Sequence, residues 1–138
     1  MILGFKQTFP WGAKTYFKNK IWASVEKTNF PSITPKLHSI REGNRWKAGM
    51  KIHMAVGVRT KNYEQFNKDI PELEFCKSVQ KISISPGGLI MIDGKGLNEY
   101  TKSLLASNDG FDSLEDFMKW FKKGLHNGQI IHWTDYRY

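Results

Sequence analysis

The stretch Lys36-Leu37-His38-Ser39-Ile40-Arg41 places an amine, a hydroxyl and a guanidinium within six residues. A hydroxyl such as that of Ser39 is a weak nucleophile until a base takes its proton. The Lys36 amine can be that base only if burial or a positive neighbour brings its pKa down from about 10.4 towards neutrality. Arg41 is the candidate neighbour, and its guanidinium fork also suits a phosphate or a base edge. The competing reading of Arg41 is an ion pair with Glu42 or Asp109. The spacing itself raises an obstacle. Three residues apart on a regular strand, Lys36 and Ser39 point to opposite faces, and they meet only across a bulge or at a strand edge. Further on, Arg45-Trp46-Lys47 mixes an aromatic ring with cations, as surfaces that stack nucleic-acid bases do, or else Trp46 packs beneath the fold. Arg59-Thr60-Lys61-Asn62 starts a basic loop suited to phosphate or simply to solvent. The histidines His38, His53, His126 and His132 are too scattered for a known metal spacing. Cys76 is the only cysteine, so an internal disulfide and a multi-thiolate metal site are both excluded, and it reads as a small buried hydrophobe.

These groups need elements to hold them. Ile2 to Phe9 reads as a strand stopped by Pro10, and Trp11 to Ile21 as a short helix weakened by Gly12. Lys36 to Arg41 alternates as a strand, with Glu42-Gly43-Asn44 as the turn after it. Lys51 to Val58 is the clearest strand, with Ile52, Met54, Val56 and Val58 on one face. Lys61 to Pro71 is polar and reads as loop; Asn29 to Pro35 is loop as well. A strand within Glu74–Ser85 and another at Leu89–Asp93 flank the turn Pro86-Gly87-Gly88. Asn98 to Ser107 shows helical spacing. Ser113 caps a second helix with Leu114, Phe117 and Phe121 on one face, closed by Lys122, Lys123 and Gly124. Gln129 to Tyr138 is the last strand. Strands and short helices in mixed order, with no regular βαβ alternation, predict an α+β fold.

At 138 residues the chain fits one domain, residues 1–138, with one modest core. The net charge of +8 attracts polyanions, nucleic acid among them. No apolar run approaches the roughly 18 to 20 residues of a membrane span, and Met1 to Lys20 holds no apolar signal segment. With a lone cysteine, this predicts a reducing, cytoplasmic setting and no membrane partner.

Four segments line up with one pattern: Lys36 to Arg41; Arg45-Trp46-Lys47-Ala48-Gly49-Met50-Lys51-Ile52-His53; Leu105-Ala106-Ser107-Asn108-Asp109-Gly110-Phe111; and Leu114-Glu115-Asp116-Phe117 with Trp120-Phe121. This resembles the ASCH domain family, with its K-x-x-T/S-x-R strand, its K-x-G-D/M-x-I/L lead into the next strand and its D-G-F-x-S-x-E-x-F helix start. The resemblance runs from about Ile2 to the final strand. The chain departs from it in a long insertion between Gly57 and Phe75 and in Trp-rich ends.

The resemblance implies a small PUA-like β-barrel with two or three flanking short helices. The family includes RNA-binding proteins, ribonucleases and acetylcytidine amidohydrolases. In the last of these a Lys, a Thr three residues on and a downstream Glu form the catalytic set. By motif position Lys36 matches the Lys, Ser39 the Thr and Asp109 the Glu, while Arg41 matches the motif Arg. Ser39 keeps the hydroxyl; Asp109 is one methylene shorter than Glu. A carboxylate there would hold the Lys36 ammonium but raise its pKa, so its use would be to orient a group or carry a proton to the leaving amine. The competing reading of Asp109-Gly110 is turn chemistry before a helix. The expectation is a domain that binds RNA or a modified nucleoside in a cleft lined by Lys36, Ser39, Arg41 and Asp109. Arg45, Trp46, Arg59 and Lys61 would add contacts, and neither cofactor nor metal is expected. Any reaction would be hydrolysis of an amide on a modified base, with Ser39 or an activated water attacking. A ribonuclease and a non-catalytic protein-interaction domain are the alternatives, and fold alone does not decide among them.

Overall fold

The computed structural model describes residues 1–27 and 32–138, so the expected loop at Asn29–Pro35 lies partly outside the described residues. In chain order it contains β1 (Ile2–Phe5), α1 (Phe17–Ser24), β2 (His38–Glu42), β3 (His53–Val56), β4 (Glu64–Gln65), β5 (Ser78–Ile84), β6 (Ile90–Ile92), β7 (Lys95–Gly96), α2 (Glu99–Asn108), α3 (Leu114–Trp120) and β8 (Leu125–His132). One sheet has the order β1-β3-β4, with β1 and β3 parallel; the other has the order β2-β8-β5-β6-β7 and is antiparallel throughout. The fold is therefore α+β, as the mixed order predicts, with three helices and two sheets. Among the described residues the ladders do not close into one barrel.

The boundaries follow from local chemistry. The first strand ends at Phe5 because its partner ends there: Phe5 pairs with Val56, and Gly57 then turns the chain away. Gly57 sits at φ 64 with the Asn62 carbonyl oxygen 2.5 Å from where a Cβ would be, so no other residue fits that turn. The predicted helix over 11–21 begins only at Phe17. Its first half is spent on a tight turn, in which Phe9 N–H donates to the Ala13 carbonyl at 2.8 Å and Thr8 bridges Lys14.

The polar stretch 61–71 is not a plain loop. It supplies β4, buries Phe66, and sets Asn67 against three backbone groups: Met54 N–H at 3.0 Å, Ile52 C=O at 2.8 Å and Leu73 C=O at 2.9 Å. Hydropathy missed it because a side-chain amide, not an apolar face, ties it down. The last strand runs from Leu125 to His132 and stops short of Tyr138; the residues after it fold back over the second sheet, where Tyr138 bonds Gln80. Asn98 and Ser113 cap α2 and α3, accepting from Thr101 N–H at 2.8 Å and Asp116 N–H at 3.1 Å.

Phe5, Phe9, Phe17, Phe111 and Phe117 join Ile82, Ile90, Ile130 and Ile131 in one buried cluster. The aromatic members meet mostly edge to face, as between Phe9 and Phe17 at 5.7 Å. Trp46 belongs to this core at 4% exposure, with its backbone N–H and C=O both bonded at 2.9 Å by the Gln129 side chain. The expected stacking surface at Trp46 is thereby corrected: the ring is enclosed.

Candidate functional site

Lys36 stands two residues before β2. Its N–H donates to the Lys20 carbonyl at 2.9 Å, and Leu37 N–H donates to the Asn108 carbonyl at 2.7 Å. These bonds lay the segment against α1 and the end of α2, where Asp109 is the residue that closes α2. Lys36 and Asp109, 73 residues apart in the chain, therefore meet. The Lys36 ammonium donates to Asp109 Oδ1 at 3.1 Å and to the Asp109 carbonyl oxygen. It also lies 4.7 Å from the centre of the Phe17 ring and 5.9 Å from that of Phe5. Gly110, at φ 95, leaves room for it: a Cβ there would sit 3.0 Å from Lys36 Cδ and from the Phe17 ring.

The network continues past Asp109. Its Oδ1 lies 3.2 Å from His38 Nδ1, and a carboxylate can only accept, so Nδ1 carries the proton. His38 Nε2 is then an acceptor, and the Tyr138 hydroxyl donates to it at 2.6 Å while accepting from Asn108 Nδ2 at 3.1 Å. Across the ladder His132 faces His38, with ring centroids 5.3 Å apart. Its Nε2 bonds Gln80 Oε1 at 2.9 Å, and its buried Nδ1 has no partner among the described residues. The sequence names His132 only among histidines too scattered for a metal and Tyr138 only as the end of the last strand, neither as part of a site. The His38–His132 pairing was legible only in register, which single-strand alternation does not give.

Burial dominates the electrostatics. It pushes the Lys36 amine down to about 8; Asp109 opposes this and the Arg41 charge assists it. For Asp109 burial alone would raise the carboxyl, but Lys36 and His38 outweigh it and hold the pKa below the usual range. Burial lowers His38, with Asp109 opposing, and lowers His132 to about 3. The Tyr138 phenol is pushed up by burial, so it stays a donor. Burial also raises the Cys76 thiol, which is 1% exposed and protonated; the expected small buried hydrophobe is what stands there.

Ser39 and Arg41 form a second group. Arg41 Nη1 donates to Ser39 Oγ at 2.6 Å and to the Ile40 carbonyl at 2.9 Å, and Nη2 donates to the Gly4 carbonyl at 2.6 Å. Its guanidinium carbon lies 5.2 Å from the centre of the Phe5 ring. The competing reading of Arg41, an ion pair with Glu42 or Asp109, is not what the structure shows. Lys36 lies ahead of β2 and Ser39 within it, so the expected strand does not hold both; the Lys36 amine turns to Asp109 and the Ser39 hydroxyl to Arg41, and no hydrogen bond joins them. One expectation is corrected outright. Lys36, Ser39 and Asp109 are 2%, 1% and 3% exposed, so they do not line an open cleft. Arg45, Arg59 and Lys61 are exposed and make no ion pair among the described residues.

What is open lies next to the closed network. A surface cleft of about 830 Å³ is walled by Gly4, Phe5, Gln7, Phe9, Gly57 and Val58, among others. Gly4 and Phe5 are also the residues that Arg41 touches. Among the described residues no group of three or more His, Cys, Asp or Glu is placed to hold a metal ion, and no helix is long and apolar enough to cross a membrane. Comparison with protein-family models, with curated proteins and with solved structures finds no match in any of the three.

Proposed function

We propose that this chain is an ASCH-type domain that binds RNA or a modified nucleoside on the face of β1, and that its two sheets are an opened form of the PUA-like barrel. The observation that carries the reading is the convergence of two cations on one ring. Arg41 and Lys36 lie 5.2 and 5.9 Å from the centre of Phe5, and Phe5 is a wall of the 830 Å³ cleft. Arg41 is held by a hydroxyl and two carbonyls rather than by a carboxylate, so its charge remains available to an electron-rich ligand. Gln7 and Thr8 offer hydrogen bonds along the rim, while Phe9, Pro10 and Val58 offer apolar contact, a mixture that suits a base. Acetylcytidine is the probe. Calorimetric titration is expected to give saturable binding, weakened at least tenfold in Arg41→Gln. Binding unchanged by Arg41→Gln would overturn the site, and a folded protein that takes up neither acetylcytidine nor RNA would overturn the reading.

Amide hydrolysis is the second reading, favoured by the lowered pKa of Lys36, which brings a neutral amine within range of physiological pH. Lys36 is covered in this structure, so the reaction requires the wall at Phe5 to open; Lys36 would then take a proton from water as the water oxygen adds to the acyl carbon. The C–N bond would then break as the ammonium returns that proton to the leaving amine, giving cytidine and acetic acid, which releases its proton to solvent as acetate. Ser39 is the weaker attacker, since its oxygen already accepts from Arg41 and no base bonds it. Release of cytidine by the wild type, abolished in Lys36→Ala and retained in Ser39→Ala, is the expected result. Tight binding without release removes the reaction and leaves the binding domain.

A further inference from the structure

We infer that the neighbouring cleft at the start of α1 takes a nucleotide phosphate, with the attached base on the ring of Tyr16; the choice of ligand class rests on the nucleoside- or RNA-binding reading above. The cleft measures about 390 Å³, and Lys6, Lys14 and Lys18 line it with no carboxylate among the lining residues. Lys18 is engaged by Glu64 at 3.0 Å, but Lys6 and Lys14 are exposed and make no ion pair among the described residues.

The floor is held rigidly. Thr15 is 1% exposed, its hydroxyl donates to the Lys6 carbonyl at 2.7 Å, and its N–H donates to the Gln7 carbonyl at 3.0 Å. Two unpaired ammonium groups on a fixed floor suit a compact dianion or a diester phosphate. Tyr16 precedes α1 at φ 54 and its side chain does not cap the helix; Phe17 N–H donates to Thr15 Oγ1 at 3.4 Å, and the positive end of the helix dipole faces the same cleft. Its ring is 56% exposed and stands where this cleft meets a second one of about 800 Å³, lined by Asn19, Ile33, Thr34 and Asp112 among others. An exposed aromatic beside a cationic cleft is the arrangement that stacks a base while its phosphate is held.

The phosphate comes either from a mononucleotide or from an RNA backbone, and the experiment separates the two. The probes are 5′-cytidine monophosphate and an eight-nucleotide oligouridylate, each titrated over a range of salt. The expected result is binding of at least one, weakened tenfold or more in Lys6→Gln/Lys14→Gln. For the oligomer the slope of log affinity against log salt should become shallower by about 1.4, from two contacts at roughly 0.7 each. Lys81→Gln/Lys95→Gln, which removes the same charge elsewhere on the surface, should leave that slope unchanged. Tyr16→Asn, which tolerates the left-handed backbone, should lose about tenfold in affinity with no change of slope, and Tyr16→Phe should retain it. Monophosphate binding displaced by inorganic phosphate assigns a mononucleotide; binding of the oligomer alone assigns the backbone. The inference is overturned if neither probe binds, or if the lysine pair makes no difference. Loss here with acetylcytidine binding intact would remove this subsite and leave the nucleoside reading standing.

Discussion

A lysine that is 2% exposed is held by a single carboxylate, and that sets how its variants behave. A buried ion pair gains little over apolar residues of the same volume, yet breaking one strands a charge. Lys36→Met should therefore cost about 3 kcal/mol in urea unfolding at pH 7, because Asp109 keeps only His38. Lys36→Met/Asp109→Leu should recover much of that loss; a double variant no better than the single one would mean that the pair itself stabilises the fold. The pH dependence has a definite sign. With the amine lowered to about 8 in the fold and near 10.5 when unfolded, the unfolded chain holds more protons between those values, so the Lys36 contribution rises with pH across that window. Below about pH 8 both states are protonated and the full cost of the buried charge remains. The wild type should gain stability relative to Lys36→Met from pH 8 to 10.5.

The elements carry these residues to their places, and their caps are the accessible levers. Asp109 is fixed as the C-cap that follows α2, whose first turn is capped by Asn98. Asn98→Ala should lower stability by about 1 kcal/mol, and Ser113→Ala should do the same through α3. Thermal unfolding measures both, and a loss below a few tenths would mean that tertiary packing holds these helix ends. The Ser113 cap was legible in sequence because it is a local device, a polar side chain aimed at an amide three residues on; Asn98 reads in sequence as the first residue of its helix, which it caps instead. The alternation of Ile82 with Ile84 and the apolar run at Ile90–Ile92 were legible for the same reason. Three things were not. The helix from Trp11 was displaced to Phe17 by a turn whose hydrogen bonds no periodicity records. The strand at Glu64–Gln65 has only two residues, and its partner alone defines it. The candidate cleft failed because exposure depends on what packs over a residue: Phe5, Phe17 and Gly110 come from three separate segments to cover Lys36. Motif position assigned Lys36 and Asp109 to one set but did not show that the shorter carboxylate reaches the amine; the structure places them 3.1 Å apart. Trp46, also drawn from a motif, went to the core, since Arg-Trp-Lys has the same composition whether its ring stacks a ligand or packs inside.

At the scale of the whole molecule, the antiparallel sheet is sewn together by buried side-chain bonds as well as by its ladders. Gln80 on β5 donates to Asp93 and to the Tyr138 carbonyl, both at 2.9 Å, and accepts from His132 and from Tyr138 N–H. Tyr138 in turn bonds His38, which bonds Asp109. The two buried imidazoles in this network are neutral, and that makes acid the weak side of the fold. Burial lowers both, His132 to about 3, whereas in the unfolded chain each takes up a proton near 6.5. The unfolded state therefore gains protons first as pH falls, and stability must drop between pH 6.5 and the folded-state values. The carboxylates contribute only lower down: Asp109, held below its usual range, adds stability above about 3.8 and loses it beneath. Between pH 6.5 and 5 the slope belongs mainly to the histidines, at up to 1.36 kcal/mol per pH unit for each. His132→Gln keeps a donor for Gln80 Oε1 and cannot titrate. Its urea midpoint should fall less steeply than that of the wild type over that interval, preserving about 2 kcal/mol by pH 5. Parallel curves for the two proteins would mean that His132 protonates as readily in the fold as outside it, and that its enclosed ring is open to water in solution.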